Sequence, residues 1–174
     1  YIHPYMMGKD FIARKSRYCL WLKDILPSEL KKYPKIMERV KNVREFRLSC
    51  PSPDTNHYAD KPTFPVRLRY YSEDRINPAL ALPKVSSQNR RYIPMEVIDA
   101  DVIAGSKLFL IPDISLYHFG VLTSNVHMAW MRTVCGRLKS DYSYASNVVY
   151  NTFPWPEPTA QQRKKIEQTA QAIL

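Results

Sequence analysis

Residues 116–156 read LYHFGVLTSNVHMAWMRTVCGRLKSDYSYASNVVYNTFPWP and form the part of the chain that is densest in aromatic, hydroxyl and paired charged side chains. Thr123 or Ser124 can cap the first turn of a helix, and Gly136 can take the left-handed conformation that ends one. Between these signals, apolar residues recur at helical spacing at Val126, Ala129, Trp130 and Val134. The stretch therefore predicts a central helix near residues 124–135, buried along this stripe.

A segment of alternating cations, hydroxyls and aromatics follows the predicted helix at residues 137–144. Because an extended chain sends alternate side chains to opposite sides, Lys139, Asp141 and Ser143 are expected on one side. A lysine donates to the acceptor edge of guanine, and an aspartate accepts from the amino group of cytosine. The pair of Lys139 and Asp141 can therefore read a G·C base pair. The alternative is a local ion pair on a solvated loop.

The charge balance of the chain indicates a polyanionic partner. Its 174 residues include 26 Lys and Arg against 16 Asp and Glu, which gives a formal net charge of +10. A surplus of this size on a small domain favours nucleic acid, and the alternative is a solvated basic surface with no partner. No apolar run approaches the ~20 residues of a membrane-spanning helix, and no signal peptide pattern opens the chain, so a cytoplasmic protein is expected.

The remaining patterns predict an α+β domain with a mixed or antiparallel sheet, since strands and helices are interspersed without a βαβ rhythm. Strands are expected at residues 17–22, 108–112, 113–119 and 148–150, and a basic, aromatic strand is expected at Arg67, Arg69, Tyr70 and Tyr71. Thr159 and Gln162 have the spacing of a capping box, which predicts a C-terminal helix from about residue 159.

Residues for catalysis or metal binding are not found in a working arrangement. The four glycines form no cofactor loop, and the three cysteines are scattered without a CxxC pair, so neither a zinc site nor a disulfide framework is indicated. Glu29 and Lys31 match half of a Mg²⁺-dependent nuclease site, but they sit at a predicted helix start. His118 is expected to be a hydrogen-bonded structural residue, and His127 lies off the apolar stripe. We therefore expect no catalytic residue, metal or cofactor in this chain.

Several long strings resemble the DNA target-recognition domain of MmeI-like type II restriction-modification enzymes, a family of adenine-specific DNA methyltransferases. They are LYHFG at 116–120, HMAWMR at 127–132, CGRLKSDY at 135–142 and VYNTFPWPE at 149–157. The resemblance extends upstream through PKVSSQNRRYIP at 83–94 and RYCLWL at 17–22, so it covers most of the chain. In that family one polypeptide carries nuclease, adenine methyltransferase and recognition modules.

The resemblance implies a recognition domain for double-stranded DNA at residues 1–158, followed at 159–174 by the start of a spacer-like helix. Positions that look like those setting the recognised bases in the family are Lys84, Ser106, Lys107, Lys139, Asp141 and Ser143. Arg90, Arg91 and Arg137 are expected at phosphates.

The resemblance also implies what lies outside this chain. S-adenosylmethionine and Mg²⁺ are expected in other domains of a prokaryotic parent polypeptide, whose methyltransferase and nuclease domains would be the partners of this one. The alternative is a basic domain that binds nucleic acid or protein without base-specific readout.

Overall fold

The computed structural model describes residues 1–64 and 77–174, so the strand predicted at Arg67 to Tyr71 lies outside the described residues. The strands are β1 (Ile2–Met6), β2 (Tyr18–Leu20), β3 (Ala79–Pro83), β4 (Val85–Ser86), β5 (Glu96–Ile98), β6 (Ile103–Ala104), β7 (Leu108–Pro112), β8 (Gly136–Leu138) and β9 (Asp141–Ser143). The helices are α1 (Gly8–Ala13), α2 (Pro27–Leu30), α3 (Pro34–Ser49), α4 (Pro53–Asn56), α5 (Leu116–Leu122), α6 (Asn125–Val134) and α7 (Ala160–Gln171), and Ser146–Tyr150 forms a π-helical turn.

The strands form small three-stranded sheets, and the α+β prediction is confirmed. One sheet, in the order β2-β1-β6, is mixed, since β2 runs antiparallel and β6 parallel to β1. The sheets β5-β3-β7 and β4-β9-β8 are antiparallel. All five residues of β3 are buried, and the chain passes from β3 through Lys84 directly into β4. Lys84 therefore links the β5-β3-β7 sheet to the β4-β9-β8 sheet.

The main hydrophobic core lies between α6 and the last two sheets. Met128 and Met131 of α6 pack there with Leu82 of β3 and with Tyr142 and Tyr144. A second cluster holds α7 against α5, where buried Ala170 meets Phe119, Leu122 and Leu80. Burial of these apolar side chains is the dominant force holding the small sheets to the helices.

The central helix is present, but the prediction of its buried face is only half right, since Trp130 and Val134 are half-buried against the core. Ser124 caps α6 as predicted, since its hydroxyl accepts from the backbone N–H of His127 at 3.2 Å. Val126 is 70% exposed, however, and Ala129 is also exposed. The buried residues of α6 are His127, Met128 and Met131. The helix is therefore turned so that the predicted stripe lies at the edge of the core or in solvent.

The central helix ends at the predicted position, but the predicted left-handed conformation of Gly136 is wrong. Cys135 ends α6 in an extended conformation, with its N–H donating to Met131 O at 2.9 Å. Gly136 has no positive φ and begins β8 instead. The chain leaves the helix directly into a strand, so no left-handed residue is needed at this point.

Two predicted strands are helical. Residues 113–119 were expected to be extended, but Ser115 caps α5, because its hydroxyl accepts from the His118 N–H at 3.4 Å. Val148 to Tyr150 lie in the π-helical turn rather than in a strand. The predictions of β7 and of the C-terminal helix are confirmed, and Thr159 caps α7 through the Gln162 N–H at 3.3 Å.

Candidate nucleic-acid interface

Strands β8 and β9 form a hairpin with Lys139 and Ser140 as its two-residue turn, since Leu138 pairs with Asp141. Lys139 has a φ of +57°, the left-handed region that two-residue hairpin turns require at their first position. The predicted alternation from 139 to 143 is therefore wrong for Lys139, which lies at the exposed tip. It holds along β9, where Asp141 and Ser143 share one face and the buried Tyr142 lies on the other.

Arg137 is fixed across this hairpin. Its guanidinium carbon lies 4.1 Å from the centroid of the Tyr142 ring, and its Nη1 donates to Ser140 O at 3.1 Å. Arg137 pairs with Tyr142 across the hairpin, so the two side chains share the face opposite to Asp141. Stacking on the ring and one hydrogen bond orient the exposed guanidinium and leave most of its five donors for another acceptor.

Lys84 is hydrogen-bonded through its backbone to two segments that contain predicted base-reading residues. One contains Ser106 and Lys107, and the other contains Lys139, Asp141 and Ser143. Its N–H donates to Lys107 O at 3.0 Å, and its carbonyl accepts from the Tyr144 N–H at 2.8 Å. Its Nζ lies 4.8 Å from the centroid of the Phe109 ring. Burial, with the nearby charge of Lys107, lowers the pKa of the Lys84 ammonium. Lys84 and Lys107 are thus neighbours in space and lie next to the start of the hairpin sheet.

Ser106 and Lys107 lie in a turn between β6 and β7. Gly105 in this turn donates its N–H to Met6 O at 2.8 Å, and its carbonyl accepts from the Leu108 N–H at 3.0 Å. Its position is tight, because a Cβ there would clash with the Met7 sulfur. The turn is therefore held against the first sheet, with Ser106 half-buried and Lys107 exposed.

The polar loop at residues 87–92 is attached at both ends. At its first end the Gln88 N–H donates to Asp141 Oδ1 at 3.3 Å. At its second end Arg91 O accepts from an Arg132 guanidinium nitrogen at 2.6 Å. The Tyr92 hydroxyl also donates to Asn125 Oδ1 there, at 2.8 Å. Sequence patterns did not identify these anchors, because each contact spans 33 to 53 residues and has no local signal.

The predicted DNA-contacting side chains are available to solvent. Five are exposed and four are half-buried; the exposed ones are Arg90, Arg91, Lys107, Arg137 and Lys139, and the half-buried ones are Lys84, Ser106, Asp141 and Ser143. Within residues 1–64 and 77–174, no ion pair joins Lys139 to Asp141. Asp141 Oδ1 accepts the Gln88 N–H of the loop, and Oδ2 has no hydrogen-bond partner within the same residue ranges. Lys139 and Asp141 are therefore not neutralised by each other.

His118 and His127 have hydrogen-bond partners inside the protein. His118 Nδ1 lies 2.8 Å from the Ser115 hydroxyl in the cap of α5. His127 is fully buried, and burial lowers its pKa to about 4. In the part of the chain that the structure describes, no three His, Cys, Asp or Glu residues are placed to hold a metal ion. The same part contains no helix that is both long and apolar enough to cross a membrane.

Known proteins are similar to this chain in sequence, and a solved structure is also similar in fold. A family model described as MmeI, target recognition domain, matches residues 1–157. DNA methyltransferase A of Bacillus subtilis (strain 168) is 36% identical over 174 residues, which are 100% of this chain and 19% of that protein. The solved structure of the type IIL restriction-modification enzyme MmeI in complex with DNA matches with a TM-score of 0.89 and 39% identity, covering 99% of this chain and 23% of that one.

The fold of this chain is that of a target recognition domain. The chain belongs to the MmeI target recognition domain family, and the predicted resemblance is confirmed. It spans about a fifth of the length of the two relatives. The family match ends one residue before the predicted boundary at 158, and the division into a domain and a spacer-like helix stays a prediction.

Proposed function

We propose that this chain recognises a specific sequence in double-stranded DNA as the target recognition module of a larger DNA methyltransferase or restriction-modification enzyme. The observation that carries the proposal is the junction at Lys84, where one residue bonds through its backbone to both Lys107 and Tyr144. Through it, segments separated by tens of residues meet next to the exposed Lys107 on a strongly basic domain. The MmeI structure, which was solved in complex with DNA, has the same fold at 39% identity.

Base readout falls to the residues around this junction. A two-stranded ribbon such as the β8–β9 hairpin fits the major groove, which is about 12 Å wide. Lys139 at the tip donates to guanine O6 or N7, and Asp141 accepts from cytosine N4 through its unpartnered Oδ2. The other proposed readers are Lys84, Ser106, Lys107 and Ser143. The hydrogen bonds of Lys84 support this grouping by holding the two segments together.

Phosphate contacts fix the register of the module on the duplex. Arg137, oriented by Tyr142 and Ser140, and the exposed Arg90 and Arg91 of the anchored loop supply these contacts. Each neutralised phosphate releases counterions, so the logarithm of the binding constant falls linearly with the logarithm of the salt concentration. With three such contacts, affinity drops roughly 40-fold when salt rises from 50 to 200 mM.

The decisive experiment measures binding of the intact protein to duplex DNA by fluorescence anisotropy at several salt concentrations, followed by selection of the preferred sequence. Salt-dependent binding with a selected sequence supports the proposal. An affinity that does not change with salt concentration contradicts the proposal. Equal binding to all duplexes, or tighter binding to RNA and single strands, favours a basic interaction domain without base readout.

The chemistry that follows recognition belongs to other domains. Methylation of an adenine amine needs a base taken out of the stack and S-adenosylmethionine as methyl donor, and cleavage needs Mg²⁺ in a nuclease domain. The role of this chain is to place the target adenine at the methyltransferase, in a prokaryotic cytoplasm. The full-length gene tests this part of the proposal, since a parent that lacks cofactor-binding and amino-methylation motifs contradicts it.

A further inference from the structure

Asp141 makes a contact that base readout alone does not explain. The β4–β9 ladder pairs Val85 with Ser143 and Ser86 with Tyr142, and the next pair in this register would be Ser87 with Asp141. The ladder stops before that pair. Instead, the Asp141 side chain accepts the Gln88 N–H at 3.3 Å. A side-chain hydrogen bond therefore replaces backbone pairing between β9 and the residues that follow β4.

The segment that this carboxylate holds is a tight polar turn. Arg90 N–H donates to Ser87 O at 3.1 Å, and Asn89 N–H donates to the Ser87 hydroxyl at 3.3 Å. The side chains of Gln88, Asn89 and Arg90 are exposed, while the far end of the loop is fixed to α6. Asp141 is therefore the attachment nearest to the exposed part of the turn.

We propose that Asp141 is a positioning residue for the loop at 87–92, and that its carboxylate places Gln88, Asn89 and Arg90 against the DNA. The inference rests on the proposed function, in which Asp141 is only a base reader. A fixed loop loses less conformational entropy when it binds, so the carboxylate increases affinity for any duplex. The hairpin that reads sequence and the loop that contacts the backbone then act as one unit.

Two substitutions at Asp141 separate this role from its charge. Asp141→Asn and Asp141→Ala both remove the negative charge, but only Asn keeps an oxygen that can accept the Gln88 N–H. On a duplex without the recognised sequence, base contacts add little to affinity. The two variants should therefore bind it equally tightly unless the hydrogen bond to Gln88 contributes. We expect Asp141→Ala to bind such a duplex about threefold to tenfold more weakly than Asp141→Asn, the effect of one hydrogen bond.

A double-mutant cycle with Arg90 tests whether the effect travels through the loop. Arg90→Ala should weaken binding clearly in the Asp141→Asn background and much less in the Asp141→Ala background, because a released loop no longer holds Arg90 at the phosphate. Ser143→Ala is the matched control, since Ser143 shares the face of Asp141 on β9. In that background the loss caused by Arg90→Ala should equal the loss in the wild type.

The outcomes separate the inference from the function on which it rests. Equal binding by the Asn and Ala variants, or an additive cycle between Asp141 and Arg90, overturns the positioning role while DNA recognition stands. If the wild-type protein binds no duplex, the proposed function fails as well. Circular dichroism of each variant distinguishes loss of loop order from loss of folding.

Discussion

The hydroxyl oxygen of Tyr144, the residue that follows β9, lies 3.2 Å from Nε2 of His127 on α6. Both side chains are buried. The other ring nitrogen of His127, Nδ1, has no hydrogen-bond partner within the described residues. Burial favours the neutral ring over the charged one, so the pKa of His127 falls to about 4. The contact joins α6 to the base of the hairpin sheet.

His127→Gln tests this buried pair through the pH dependence of stability. The folded pKa of about 4 lies below the ordinary value of 6.5, so the unfolded chain binds more protons between these pH values. The wild type should keep its full stability above about pH 6.5 and lose roughly 3 kcal/mol of unfolding free energy by pH 4 through this group.

Chemical denaturation of the wild type and of His127→Gln at pH 7, 5.5 and 4 measures the effect. Glutamine is neutral throughout and can bond the Tyr144 hydroxyl, so the variant should show a smaller fall in stability. The three other histidines and the carboxylates are common to both proteins and act as an internal control. Parallel curves for the two proteins contradict the assignment.

Gly120→Ala should force α5 away from α7. A Cβ at Gly120 would lie 2.8 Å from Ile166 Cγ2 and 3.1 Å from Ala170 Cβ. Overpacking of this kind costs ~1–3 kcal/mol, which exceeds the gain of about 1 kcal/mol from the better helix propensity of alanine. We expect a net loss of up to about 2 kcal/mol in thermal or chemical unfolding.

Gly136→Ala is the matched control for this substitution. A Cβ at Gly136 would meet Ser143 atoms only at 3.8 Å, which is ordinary contact, and Gly136 has no positive φ. Its stability should equal or slightly exceed that of the wild type. Two variants of equal stability would mean that α5 and α7 pack less closely than the structure shows.

Arg47→Lys should destabilise the segment at residues 58–64. The Arg47 guanidinium is buried and donates to Tyr58 O, Lys61 O and Phe64 O at 3.0, 2.7 and 2.8 Å. A lysine ammonium has no planar fork and leaves part of this carbonyl set unsatisfied, at a cost on the order of 1–3 kcal/mol. Arg44→Lys is the control, since Arg44 makes one exposed contact at 3.5 Å and should change stability by less than about 0.5 kcal/mol. Equal effects of the two substitutions rule out the anchoring role.

The sequence predicts those parts of the fold that have local signals. Ser124 and Thr159 cap their helices as predicted, because a capping side chain bonds an N–H only a few residues away. The face of α6 was misjudged for the opposite reason. His127 is buried because Tyr144, 17 residues further on, supplies its partner, and no periodicity in the helix reveals that contact.

The candidate site likewise combines features that the sequence identifies with features that depend on tertiary contacts. The residue types at Lys139 and Asp141 and the surrounding strings identify the family from sequence. The positive φ of Lys139 and the bond from Gln88 to Asp141 depend on how β4, β8 and β9 pair, which is set by tertiary structure.

Lys139→Gly should stabilise the hairpin turn relative to Lys139→Ala. At a φ of +57° a residue with a Cβ is strained by ~1–2 kcal/mol, and glycine is not. Both variants lack the ammonium group, so both should lose the preference for guanine that the proposed contact gives. Unfolding free energies and a binding-site selection measure the two effects. Equal stability of the two variants, or an unchanged preference for guanine in both, contradicts the respective half of the prediction.

Lys139→Glu with Asp141→Arg should exchange the base that the hairpin prefers. In the proposed readout, the wild-type pair demands one orientation of a G·C pair, with the donor at residue 139 and the acceptor at residue 141. With the signs exchanged, the preferred base at one position of the recognised sequence should change from G to C, and each lost contact costs ~1–3 kcal/mol of discrimination. The Asp141→Arg change also removes the acceptor of the Gln88 N–H, so overall affinity should fall at the same time. Asp141→Asn alone is the control that keeps the loop attached. An unchanged recognised sequence in an active double variant means that the pair does not read this base pair.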